Sequence, residues 1–129
     1  MKIKNREILH KKILIVDHSL IVRKMIGFAL QGSDYEIIEA ADGVDAVRII
    51  YSQPIDLLVT AMDMANINGL ELSRIVRETS GLEDLPIIML TQDENRVLKN
   101  EARGVGISLL ISKPFSHAQI FNLVKEVLG

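Results

Sequence analysis

Five short apolar runs, each followed by a stretch with helical spacing, narrow the folds open to this chain more than anything else in it. They are Lys12-Ile13-Leu14-Ile15-Val16-Asp17, Tyr35 to Ala40, Ile55-Asp56-Leu57-Leu58-Val59, Leu85 to Thr91 and Ile107 to Ile111. In most of them the hydrophobicity is continuous, as in strands covered on both faces, and not alternating, as in strands with one wet face. Helices between such strands make βαβ crossovers, which are right-handed and cover both faces of a parallel sheet. The pattern predicts an α/β fold: a doubly wound, five-stranded parallel sheet, (βα)5, over residues 12–129 behind a leader at 1–11. With 129 residues, 48% apolar and 25% charged, the chain suits one domain and would be cramped as two.

Ser19 caps a helix with Val22, Met25, Ile26 and Ala29 inward; Ile21 and Phe28 lie off that stripe, and Gln31-Gly32-Ser33 stops it. After Ala41-Asp42-Gly43 a second helix sets Val44, Val47, Ile50 and Tyr51 on overlapping faces, and Pro54 closes it. Asn68 and Glu71 have capping-box spacing at the start of a third helix, which Thr79-Ser80-Gly81 ends. A fourth is predicted from Asp93 to Arg103 with Leu98 and Ala102 inward, broken by Gly104-Val105-Gly106. Ser116 and Gln119 form a second capping-box pair, before a helix with Ile120, Leu123, Val124 and Val127 inward and Phe121 and Leu128 pointing elsewhere.

A net charge of -2 gives no electrostatic footprint for nucleic acid, although Lys2, Lys4, Arg6, Lys11 and Lys12 make the leader basic. The absence of cysteine removes disulfides and thiolate metal sites. No apolar run approaches about 18 residues and no signal-peptide core is present, so the expectation is a cytoplasmic chain without membrane contact.

Open α/β sheets place their chemistry outside the carboxyl ends of the strands. The residues expected there are Asp17, Ala61, Thr91 and Lys113, beside the loop from Thr60 to Gly69. On Ile15-Val16-Asp17, Gly69-Leu70-Glu71-Leu72, Thr91 and Lys113-Pro114-Phe115, with the strand and helix order, the run from Lys12 to Leu128 resembles a response-regulator receiver domain. This is the phosphorylatable module of two-component signalling and phosphorelay. The resemblance implies a flavodoxin-like fold with strand order 2-1-3-4-5. In the family an acid pair after the first strand holds Mg2+, an aspartate after the third attacks a phosphoryl group, and a Ser/Thr and a Lys bind its oxygens. Metal and ammonium neutralise the charge in transfer.

Carried over, Asp17 is the first acid of the pair, and Thr91 and Lys113 are the hydroxyl and the amine. The other positions depart. His18 stands at the second acid, and an imidazole is a poor ligand for hard Mg2+. Ala61 stands at the nucleophile, where a methyl group can neither attack phosphorus nor ligate metal. Ala65 replaces the loop proline, and Leu110 replaces the switching aromatic. What the resemblance implies is a vestigial pocket of Asp17, His18, Thr91 and Lys113, with no catalytic residue, no cofactor, and Mg2+ binding lost or very weak. Without a carboxylate at 61, Lys113 should pair with Asp17 or hydrogen-bond carbonyls.

The function expected is that of a pseudo-receiver, not an enzyme, working by contact with a histidine kinase, an effector domain or a second copy. Family members commonly dimerise through the fourth helix, fifth strand and fifth helix, where Val97, Leu110, Phe121 and Leu128 are apolar here. Two other functions stay open. One is an active receiver with a substitute acceptor: Asp63, two residues past Ala61, or Thr60, a hydroxyl beside the slot. Reacting atoms must meet within about 3–3.5 Å, which a two-residue offset does not readily allow. The other is a small-ligand module of flavodoxin type, for which a Gly-rich phosphate loop is absent. His10, His18 and His117 offer no metal spacing.

Overall fold

The computed structural model describes residues 10–92 and 95–129. Its strands are β1 (Lys11–Val16), β2 (Tyr35–Ala40), β3 (Leu57–Ala61), β4 (Ile87–Thr91) and β5 (Leu109–Ser112). The helices between and after them are α1 (Leu20–Ala29), α2 (Gly43–Ser52), α3 (Gly69–Arg77), α4 (Arg96–Gly104) and α5 (His117–Leu128). All strand pairs are parallel, in the order β2-β1-β3-β4-β5. This is the doubly wound sheet the apolar runs predict.

The period of two in each strand sends alternate side chains to opposite faces. Ile13, Ile15, Leu57, Val59, Ile88 and Leu90 join one core with Ile26 of α1, Leu30 just after it, and Ile120 and Val124 of α5. Leu14, Val16, Leu58 and Ile87 join the other with Ala46 and Ile50 of α2 and Leu72 and Val76 of α3. Met89 meets Leu70, Leu98 and Ala102, which seats α4.

Each helix start is closed by a side chain that takes an otherwise unpaired N–H. Ser19 accepts from Val22, Asp42 from Asp45, Asn95 from Leu98 and Ser116 from Gln119. At α3 the Asn68–Glu71 box is reciprocal, with both bonds at 2.8 Å. The start predicted for the fourth helix, Asp93, lies outside the described residues; α4 proper begins at Arg96 behind Asn95.

Several boundaries differ from the sequence reading, each for a physical reason. The first strand begins at Lys11, inside the leader, because Lys11 pairs with Tyr35. The third runs Leu57–Ala61, so Thr60 lies inside the strand and not in the loop, and Ala61 is the last rung, opposite Leu90. The fourth starts after Pro86, which has no N–H for a ladder. The fifth starts late because the Ile107 N–H is held by Ala102 at the end of α4. On α2 the inward stripe is Gly43, Ala46 and Ile50, while Val44 and Tyr51 are exposed. Gly43 sits so close to Ile67 that a Cβ there would lie 2.7 Å from Ile67 Cβ, which fixes that face of the helix inward. Phe121 and Leu128 do not point elsewhere: both pack half-buried against the first core, since α5 lies beside α1 and a broad face of it is covered. Among the described residues no helix is long and apolar enough to cross a membrane.

Candidate functional site

Ile13 to Val16 are buried, and the strand they form carries the chain straight into Asp17, whose side chain has no exposure. A buried carboxylate requires full pairing. Asp17 has it: Oδ2 accepts from Lys113 Nζ at 2.7 Å and Oδ1 from the Ser19 N–H at 2.9 Å. Its own N–H donates to the Ala40 carbonyl at 3.2 Å. Lys113 is aimed from the far side by β5, and its N–H donates to the Thr91 carbonyl at 2.8 Å, tying the ends of β4 and β5 together. Of the two partners considered for Lys113, the carboxylate is the one it holds.

His18 turns away: its side chain is 72% exposed, with Nδ1 3.7 Å from Asp17 Oδ1. Ala61 is buried, and the loop after it folds back tightly, since the Gly69 N–H donates to the Met62 carbonyl at 2.8 Å. A Cβ on Gly69 would collide with the Ala61 carbonyl oxygen and lie 3.0 Å from Met62 Cα. Thr60, expected beside Ala61, projects to the opposite face by the period of two; it is fully buried and its hydroxyl donates to the Ala61 carbonyl at 3.0 Å.

Asp63 is exposed and shares a hollow of about 250 Å³ with Met62, Thr91, Asn95, Leu98 and Glu101. Lys113 lines a different one, of about 420 Å³, with Val22, Met25, Gln92, Pro114 and Phe115. Thr91 and Lys113, neighbours by backbone, thus open onto separate hollows. On the face assigned to dimerisation, Val97 is 68% exposed, while Leu110, Phe121 and Leu128 are half-buried against the cores.

Arg23 and Glu39 belong to this neighbourhood and carry no motif. Arg23 Nη1 donates to the Asp17 carbonyl at 2.6 Å and Nε to Glu39 Oε1 at 2.9 Å. Glu39 Oε2 accepts from Lys24 Nζ at 2.8 Å. The Lys24 bond draws the Glu39 carboxyl below the usual carboxylate range; burial opposes this and the Arg23 bond adds to it. The only trace in the sequence is a charged pair in α1 and an acid one residue before the end of β2.

The model of the response regulator receiver domain matches residues 13–125. The phosphate regulon transcriptional regulatory protein PhoB of Pseudomonas aeruginosa is 35% identical over 118 residues, 92% of this chain. The chain spans about half of that relative, 52% of its length. A chemotaxis protein CheY homolog of Campylobacter jejuni is 34% identical over 121 residues, 92% of each chain. The solved structure of the chemotaxis response regulator CheY4 of Vibrio cholerae superposes with a TM-score of 0.87 at 31% identity, covering 93% of this chain and all of that one. A sheet of this order, matched from its first strand into its last helix and shared throughout with chemotaxis regulators, places the chain in the response regulator receiver domain family.

Proposed function

We propose that this receiver domain acts by contact with a protein partner and does not pass through an aspartyl phosphate. The observation that carries the reading is the end of β3: the side chain there is the methyl of Ala61, and Lys113 is bonded to Asp17. Phosphoryl transfer needs a nucleophilic oxygen in line with a charge-neutralising metal and amine. The donors at the sheet's end do not fit a hard divalent cation. Both Asp17 oxygens are engaged, His18 offers an exposed imidazole, and among the described residues no three His, Asp or Glu side chains gather as a metal would need. Partners would be a histidine kinase, an effector domain or a second copy, as is general for receiver domains.

The competing reading is an active receiver with Asp63 as acceptor, favoured by the hollow that Asp63 shares with Thr91. Thr60 is a weaker acceptor, being fully buried with its hydroxyl already donated. Intact-mass spectrometry after acetyl phosphate and Mg2+ treatment separates them. Unchanged mass is expected. A single phosphoryl adduct that disappears in Asp63→Asn would replace the contact-only reading with an active one.

A further inference from the structure

The outer face of α1 and the buried pocket are joined by a run of ion pairs and hydrogen bonds that passes through Asp17. Leu20, Ile21 and Phe28 are 56%, 78% and 67% exposed. Lys24 lies three or four positions from each, and so in the middle of the same helical face. From Lys24 the contacts pass inward through Glu39 and Arg23 to the Asp17 carbonyl, and from the Asp17 carboxylate to Ser19 and Lys113. Glu39 also immediately precedes Ala40, whose carbonyl takes the Asp17 N–H. The end of β2 therefore holds the Asp17 peptide twice, once directly and once through Arg23.

We propose that Arg23 is a positioning residue anchored by Glu39, and that the pair transmits any disturbance of Lys24 on the surface to the Asp17–Lys113 contact. Arg23 and Glu39 side chains are 13% and 27% exposed, so their attraction is less screened than that of a surface pair. The planar guanidinium bonds a carbonyl with one nitrogen and a carboxylate with another, which fixes its direction as a rotating ammonium could not. Lys24, with its side chain 60% exposed, is the solvent-facing end of this chain of contacts, so loss of its charge acts there first. Glu39 then loses a partner, Arg23 is re-aimed, and the Asp17 peptide moves with it. This route needs neither phosphoryl group nor metal.

Amide exchange and nitrogen-15 NMR on the intact chain test it. Glu39→Gln is expected to speed exchange of the Ser19 amide at least about tenfold relative to the amides of β1, the factor set by one weakened charge-assisted hydrogen bond. It should also shift the Lys113 ammonium signal. Arg23→Lys, which keeps the charge but not the fork, should do the same, and Lys24→Met should act in the same direction. Phe28→Ala, exposed on the same face but outside the contacts, should do neither. The proposal is overturned if Ser19 and Lys113 are unchanged in Glu39→Gln and Arg23→Lys, or if Phe28→Ala moves them equally. Should both inner variants fail to fold, Lys24→Met alone decides, because it removes only a side chain that is 60% exposed.

Discussion

A carboxylate shut away from water needs a partner for each oxygen, and at Asp17 a lysine and a backbone N–H supply them, while Arg23 holds the residue's own backbone carbonyl. Into that arrangement Ala61 brings no charge. Ala61→Asp would add a second buried carboxylate next to the first, where like charges disfavour joint ionisation. It is expected to lower stability by about 1 kcal/mol or more in urea unfolding, without producing Mg2+ binding. Adding His18→Asp should lower stability further and bring metal-dependent stabilisation, near 2.7 kcal/mol at a Mg2+ concentration about a hundred times the dissociation constant. A double variant that melts above the parent without metal would mean that packing around the methyl group governs the site, not charge.

Glu39 gives the residue scale its pH dependence. Its folded pKa is lowered, mainly by Lys24. Ionised Glu39 therefore contributes stability that is full above its unfolded value of about 4.3 and is lost as pH falls through the folded value. The difference in melting temperature between the parent and Glu39→Gln should be constant near neutrality and shrink as the pH is taken down to about 3. A difference that grows on acidification has the wrong sign for this pair.

At the scale of elements, the join where β3 turns into α3 is close-packed main chain on main chain. Gly69 begins the helix with its backbone against the Ala61 carbonyl oxygen, and all three atoms that a Cβ would meet, in Ala61 and Met62, belong to the main chain, which cannot swing aside. Gly69→Ala should thus cost about 2 kcal/mol, although alanine is the better helix former by up to about 1 kcal/mol. Gly104→Ala is the control, since a Cβ there meets nothing within 4 Å and its helix is exposed at that point. It should be neutral or slightly stabilising. Equal effects of the two substitutions in thermal melts would remove close approach as the reason for Gly69.

Over the whole molecule, the two cores are separate in space but share one backbone, because consecutive residues of β1 feed opposite faces. Leu14→Ala and Ile15→Ala each delete a fully buried side chain, one from each core, and should each cost about 2–5 kcal/mol. Both variants are expected to unfold in one transition, with far- and near-ultraviolet circular dichroism coinciding. If either variant melts one face before the other, the sheet is not coupling the cores. The apolar runs and the period of two determined this architecture from sequence alone, since a run without polar breaks has nowhere to go but between two layers. The residue types at Asp17, Ala61, Thr91 and Lys113 were equally legible, because strand ends converge on one rim of such a sheet. The helix caps at Ser19, Asn68 and Ser116 were readable too, being local bonds over three residues, whereas those at Asp42 and Asn95 were not singled out by the spacing. What only the tertiary structure decided are the partners that distance in sequence hides. The Lys113–Asp17 bond spans 96 positions, and Arg23 reaches Glu39 across 16. Phe121 and Leu128 are covered because α5 lies against α1, and Gly43 faces inward because Ile67 leaves it no room. Such contacts depend on how elements settle against one another, and the local spacing that marks a helix or strand carries no term for it.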